Sequence, residues 1–525
     1  MILGDPTGKP MMTGVGGRAT LDDLFRRAAA RRPDDIALID PPNRLSFTDG
    51  APRRLTYAEA DRMISAIAGR LHRMGLPTDA IVALQMANTV EGVLTLLAVL
   101  RAGLIAMPLP LLWRRLDAVA ALERVGVSAL MVTGRIGKTD HFDVALQVAA
   151  EIFPVRYVCG FGRNPPDGVV AFDDLYAADA PDPVPSIERE RELPPGPGVH
   201  LAVVTWDTTA AEIVPVGRSH AELIAGGLGV LLESRVPQDA IVLSTLATSS
   251  FGGLAAGVLP WLLAGGTLAL HQPFDAATFA DQCRSIGCDT IVVPGPLAAQ
   301  LAEADFLSAR NGLRRVVALW RAPERLSRAP AWCDVAVAMT DVHVFGETGL
   351  LAARRGPSGR PIAIPCGPIA APRGATGALI VGEVAPTPKG TLAMRGPMVP
   401  RCAYPLGTER TALPYFKVAA NGFVDTGYAC RRDHQGTILT VTGPQPGIAG
   451  VGGYRFSARD LQDLVNRADS GGTLAVLPDA LAGHRLAGNA ADLGQMRDAL
   501  TRLGANPLLV GAFADRGRAE ARSAA

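Results

Sequence analysis

Lysine is nearly missing from this chain. Of 51 basic residues only Lys9, Lys138, Lys389 and Lys417 are lysines, and none lies beyond Lys417. Chemistry that needs a lysine, as a Schiff base or as a point charge on a phosphate, has few candidates here. Cysteine is also sparse: the seven residues are scattered, with no Cys-x-x-Cys pair. That pattern offers neither a zinc site nor a disulfide frame and suits a reducing compartment, so a cytoplasmic location is expected. A formal charge of +1 provides no broad field for nucleic acid. The eight histidines form no His-Glu-x-x-His, and neither a Gly-x-Ser-x-Gly elbow nor a dinucleotide fingerprint is present. Residues 1–17 lack a cationic stretch followed by an apolar one and read as a loose tail. Charge is absent from 241–270, which raises the question of a membrane span, but Pro260 and Gly265-Gly266 interrupt the run. A buried helix followed by a buried strand is expected there, with no transmembrane segment.

What is present is alternation. Thr56-Tyr57-Ala58-Glu59 is a capping box, in which hydroxyl and carboxylate satisfy each other's free backbone donors. Behind it Met63, Ile64, Ile67, Ala68 and Leu71 recur at helical spacing up to Gly75. Strands at 81–84, 104–107 and 129–132 alternate with helices at 90–100 and 117–125. A second block places strands at 241–243, 267–270 and 290–293 between helices at 252–264, 276–286 and 297–304. This predicts an α/β fold with largely parallel sheets covered by helices. After Gly356 short apolar runs separated by Gly and Pro predict a small β-rich subdomain. A chain of 525 residues exceeds one ordinary core. The expected division is a tail at 1–17, a large unit at 18–443, a hinge at 444–453 and a small α+β unit at 454–525. Within the large unit, 18–190 and 198–355 are the α/β parts and 356–443 the β-rich part, with a proline- and charge-rich surface connection at 181–197.

Between the apolar run Leu201-Ala202-Val203-Val204 and a helix opening at Ser219-His220 lies Thr205-Trp206-Asp207-Thr208-Thr209-Ala210-Ala211-Glu212. A loop so placed cradles phosphates when glycines admit backbone N–H groups and a lysine supplies charge. This one has no glycine before Gly217, no lysine, and two carboxylates. Carboxylates repel a triphosphate, so a solvated loop without that grip is expected.

The order of these blocks resembles the adenylate-forming superfamily of acyl-CoA synthetases, peptide-synthetase adenylation domains and luciferases. Leu55-Thr56-Tyr57-Ala58-Glu59 looks like its Leu-Thr-Tyr-x-Glu helix start. Leu97 through Gly103 to Pro108 looks like Ala-x-x-x-Ala-Gly-x-x-x-x-Pro, and Leu263-Ala264-Gly265-Gly266-Thr267-Leu268 like Leu-x-x-Gly-x-Thr-Leu. Phe274-Asp275 and Val293-Pro294 fall where the family has the same pairs. The resemblance implies that an acyl or aryl carboxylic acid is joined to ATP with Mg²⁺, and that the acyl adenylate passes to CoA or an acyl-carrier-protein thiol to give an acyl thioester. It also implies a place in fatty acid or related acid metabolism.

At each nucleotide-handling motif the chain departs from the family. Thr205, Thr208 and Thr209 are what remains of the phosphate loop. The adenine-side Gly-Gly-Ala-Pro looks like Trp320-Arg321-Ala322-Pro323, whose bulky residues either fill the pocket or give Arg321 a phosphate or carboxylate partner. Tyr-Gly-x-Thr-Glu appears as Phe345-Gly346-Glu347-Thr348-Gly349, losing the family's Mg²⁺ carboxylate at Gly349. Glu347, two residues earlier on an extended segment, would face the same way and is the candidate metal ligand. The ribose-binding Thr-Gly-Asp has become Thr426-Gly427-Tyr428, with Asp425 beside it, and a tyrosine hydroxyl does not replace a double acceptor. Gly452-Gly453-Tyr454-Arg455-Phe456 is similar to the family's Gly-Gly-x-Arg-Ile, but the final catalytic lysine has no counterpart except, superficially, Arg518. Ser250, Phe251, Gly252 and Gly253 sit where the family forms its acyl tunnel, or are ordinary helix packing. Three functions follow: a ligase, a partial enzyme acting on preformed acyl adenylates or thioesters, or a non-catalytic acyl-binding partner of a true synthetase.

Overall fold

The computed structural model describes residues 19–176, 197–308, 312–332, 334, 336–373, 377–400, 404, 419 and 421–514. The N-terminal tail, most of the proline-rich connection, Lys9, Lys417, Cys333, Cys402 and Arg518 lie outside them. Two sheets with parallel interiors form the body. One has seven strands in the spatial order Ile213–Ser219, Leu201–Thr208, Ile105–Pro108, Ile81–Gln85, Val127–Thr133, Tyr157–Phe161 and Val169–Ala171. The other has eight: Gly349–Arg354, Ala338–Phe345, Arg315–Trp320, Thr290–Pro294, Ile241–Ser244, Thr267–Leu270, Ile36–Ile39 and Arg54–Thr56. Antiparallel strands close both ends of the second sheet and one end of the first. The sheets do not part the chain in two consecutive halves. Residues 36–56 join the second sheet, while 201–219 return to the first.

The interior strands are buried on both faces, Ile81–Gln85 along its whole length, as parallel strands covered by helices must be. The capping box at Thr56 forms as expected, and the helix Tyr57–Arg73 buries Ile64, Ile67 and Leu71. Its Tyr57 donates to the carbonyl of Gly266 at 2.7 Å, tying this helix to the second sheet.

The stretch without charge forms the strand Ile241–Ser244, a buried helical segment and the strand Thr267–Leu270. No helix among the described residues is long and apolar enough to cross a membrane. The expected single helix at 252–264 is instead α-helical at Phe251–Gly253, a π-turn over Leu254–Val258 and α-helical again at Leu259–Ala264. It packs against the helix His220–Ser234. A Cβ on Gly226 would fall 2.5 Å from the Phe251 ring and one on Gly227 2.3 Å from Leu259, so these glycines allow the close approach.

A six-stranded antiparallel sheet follows, drawn from 364–443, which agrees with the β-rich expectation. The supposed hinge is partly strand. Ile448–Val451 and Tyr454–Ser457 pair as a hairpin around Gly452 and Gly453, both with positive φ (57° and 88°), the pattern of a tight primed turn. With 473–479 and 483–489 this hairpin makes the tail's four-stranded sheet, backed by helices Ala458–Ala468 and Leu493–Leu503.

Candidate functional site

The tail lies closed on the body along a seam, and the altered motifs meet there. The presumed phosphate loop is not a solvated loop. Residues 201–208 form a strand paired with 213–219, leaving only a short turn at 209–212. Thr205 and Asp207 are each 2 % exposed. The reason is a partner that the expectation lacked. Asp207 ion-pairs with Arg455 of the tail hairpin and also accepts from the backbone N–H groups of Thr208 (2.8 Å) and Glu347 (2.9 Å).

Arg455 spans the joint, donating also to Gln445, which in turn donates to the carbonyl of Thr426. Gly346, at φ +55°, makes this possible: a Cβ there would lie 2.5 Å from both the Arg455 guanidinium and the Asp207 carboxylate. Two further contacts hold the hairpin down, Thr208 donating to the carbonyl of Arg455 at 3.1 Å and Ser457 to that of Ala210 at 3.3 Å.

Each threonine kept from the phosphate loop has its hydroxyl engaged by protein. Thr205 donates to Glu347 at 2.6 Å, Thr208 to Arg455, and Thr209 to the carbonyl of Glu212 at 2.9 Å. The N–H groups of Ala211 and Glu212 point back at the Thr209 hydroxyl, so the turn caps itself where a phosphate cradle would present free donors.

Glu347 sits in a turn and not on an extended segment, because Gly346 bends the chain after Phe345. Its carboxylate accepts from Thr205 and from the N–H of Phe251 at 2.8 Å, and lies 3.7 Å from Arg218. Burial pushes its pKa up, Arg218 opposes that, and Asp207 adds to it. A Mg²⁺ ion needs several open oxygen ligands. Glu347 and Asp207 are bound up within the protein, and among the described residues no three His, Cys, Asp or Glu gather into a metal-holding group. These two carboxylates, engaged in this way, do not offer the open oxygens that Mg²⁺ takes.

Trp320 does not fill the seam. It turns to the opposite face of its strand, packs over Gly295 and donates from its indole N–H to Asp341 at 2.9 Å. Arg321 points into the seam, donating to the Ser250 hydroxyl and to the carbonyl of Gly453 at 3.2 Å. Phe345 and Tyr428 are buried and meet edge to face, with centroids 5.5 Å apart. Asp425 is exposed and accepts from the N–H of Gly427 at 2.9 Å. Thr348 is buried beside Phe345, whose carbonyl accepts its N–H, and Ala322 is half-buried at the turn that follows Arg321.

The proposed acyl-tunnel residues are close-packed. Phe251 is fully buried under the Arg218 guanidinium, 3.9 Å above its ring. A Cβ on Gly252 would touch Val344 at 3.1 Å, and one on Gly253 would strike the carbonyl of Ala247. A cavity of about 390 Å³ opens nearby, lined by Pro323, Leu326, His343, Ile364, Leu439 and Val441 among others. His220 is buried and accepts from the N–H of Leu21 at 3.2 Å.

The sequence reading missed Arg218 altogether. Its signal was a lone charge at the end of an otherwise apolar strand, one residue before a helix cap. Arg455 was visible only as part of a tail motif, with no hint of Asp207 as its partner.

Residues 25–194 match the family model described as AMP-binding enzyme. Over that stretch the chain is similar to the AMP-binding enzymes. It is 27 % identical over 444 residues to an indoleacetate–CoA ligase of Aromatoleum aromaticum, covering 81 % of this chain and 80 % of the other. With a salicyl-AMP ligase / salicyl-S-ArCP synthetase of Mycobacterium tuberculosis it shares 27 % over 272 residues, 51 % of this chain and 45 % of that one. In fold it is similar to the amide bond synthetase McbA from Marinactinospora thermotolerans. The TM-score is 0.68 at 19 % identity, over 93 % of this chain and 94 % of that one. An artificially fused adenylation–PCP di-domain from Klebsiella oxytoca matches over 95 % of this chain and 93 % of its own, at 16 % identity and a TM-score of 0.64. The sequence relatives are thus acid–CoA and acid–carrier ligases, and the fold is that of adenylation enzymes.

Proposed function

We propose that this protein keeps an adenylate-forming scaffold for an acyl or aryl carboxylic acid, or its activated form, and has lost the means to adenylate that acid with Mg·ATP. The observation that carries the reading is the contact between Asp207 and Arg455. A buried carboxylate stands on the strand that would carry phosphate-binding donors, already neutralised by the tail. A triphosphate brought there gains no free cation from Arg455, and drawing that arginine away bares a like charge. Two unit charges 4 Å apart repel by about 4 kcal/mol at the effective dielectric near a protein surface. The spent threonine hydroxyls and the enclosed Glu347 carboxylate support the same reading. Separate losses of charge, metal ligand and ribose acceptor multiply in rate. The thiol partner, by likeness to the named relatives, belongs to the class of CoA or carrier-protein thiols.

The test is ATP–pyrophosphate exchange with Mg²⁺ over a panel of acids that includes indole-3-acetate, salicylate and octanoate. The expected result is no exchange above the protein-free background with any acid. Turnover with a single acid overturns the proposal.

A further inference from the structure

We propose that Arg321 is the carboxylate anchor of this protein, holding the ligand acid's carboxylate in the seam between body and tail with the Ser250 hydroxyl beside it. The inference rests on the reading that a carboxylic acid is the ligand. It does not depend on whether ATP is used.

The argument begins with charge pairing. Arg455 faces Asp207 and Arg218 faces Glu347, each within ion-pair reach. Arg321 differs. Its hydrogen-bond partners among the described residues are both neutral, the Ser250 hydroxyl and the Gly453 carbonyl, and no described carboxylate comes within 4 Å of it. Arg321 keeps some exposed surface, yet protein crowds it enough that burial pushes its pKa down, with the more distant Glu347 only partly opposing this. A guanidinium enclosed without a counter-charge is costly, and a carboxylate docked on its planar fork removes that cost with two parallel hydrogen bonds.

Position favours the same role. Trp320 turns to the far face over Gly295, so the chain presents the next side chain to the seam, above the start of the helix at Phe251. Ser250 already accepts from the N–H of Gly253 at 3.1 Å, which fixes its hydroxyl oxygen beside Arg321. Opposite stands Gly453, at φ +88°, where a Cβ would lie 3.2 Å from the Arg321 side chain. The tail therefore approaches Arg321 with bare backbone. An incoming carboxylate competes only with a neutral carbonyl, which binds a guanidinium less strongly than a charged acceptor does.

Nucleotide-free calorimetry with indole-3-acetate and salicylate, and with their neutral carboxamides, tests this. Wild-type protein should bind at least one acid about tenfold or more tightly than its amide, the factor expected for a charge-assisted hydrogen bond. Arg321→Gln should lose that preference while Arg321→Lys recovers part of it. The amide comparison uses unaltered protein and so survives a variant that fails to fold. The inference is overturned if acid and amide bind alike, if Arg321→Gln binds the acids as wild type does, or if wild type binds no acid. Pyrophosphate exchange with intact acid binding would instead defeat the proposed loss of adenylation alone.

Discussion

The buried arginines of the body and those of the seam solve the same problem differently. In the body Arg101 lies 2.7 Å from Asp22 and 2.7 Å from Asp61, and Arg44 lies 2.6 Å from Asp40 and close to Glu91. Burial works to lower the pKa of both, but the paired carboxylates outweigh it and hold each above the ordinary arginine value. In the seam burial wins at Arg321, which is pushed below that value, and Arg455 finds its carboxylate only across a joint between two parts of the chain. Both body pairs join groups within the body, so they are fixed once it folds. The seam pair exists only while the tail is down. A charge completed inside one folded unit stabilises that unit, whereas one completed across a joint couples to motion or to a ligand.

The largest effect expected from this contrast is on the body. Arg101→Ala leaves the buried Asp22 with the more exposed Arg26 alone, 2.7 Å away, and should lower the unfolding free energy by about 3 kcal/mol in urea. A loss near zero would mean that the body pairs are not structural, and the contrast would break.

Asp207→Ala comes next, with a cost of about 2 to 3 kcal/mol because Arg455 retains some solvent contact and Gln445. Its distinctive readout is geometric. Small-angle scattering should show a larger radius of gyration, and proteolysis at 443–453 should quicken, while the body's unfolding stays cooperative. An unchanged radius and an unchanged cleavage rate would put Asp207 with the body pairs.

The smallest effect concerns His343, on the strand that also carries the body pair of Asp341 and Arg355 (2.7 Å). Burial pushes its imidazole down to about 4, and its Nδ1 has no hydrogen-bond partner among the described residues. The unfolded chain takes up the proton near pH 6.5, before the folded one does. The neutral ring therefore adds full stability above pH 6.5, and this is lost as the pH falls towards 4. At pH 5 the loss amounts to about 2 kcal/mol. His343→Phe should flatten that part of the stability–pH curve. An unchanged slope between pH 4 and 6.5 would show that this face is open to water and not sealed like the body pairs.

Most of the fold was legible in the chain. Capping boxes, apolar spacing and Gly/Pro punctuation are local signals, and they located the helix Tyr57–Arg73, the parallel strands and the β-rich part. The errors fell where tertiary contact overrides local pattern. The polar stretch Trp206-Asp207-Thr208 reads as loop, yet it is strand because Val214 and its neighbours pair with it and Arg455 neutralises its carboxylate. The apolar segment at 252–264 reads as one helix, yet a π-turn interrupts it where it packs against Gly226 and Gly227.

By itself the sequence determined an α/β scaffold that resembles the adenylate-forming enzymes, and that lysine, glycine and carboxylate are missing where that resemblance leads one to expect them. Only the tertiary structure decided what stands in those places. Asp207 and Arg455 are 248 residues apart, and Glu347 meets Thr205 across 142. No local pattern encodes a pairing over such a distance, because its energy appears only when the sheets and the tail have brought the charges into a region where water no longer screens them.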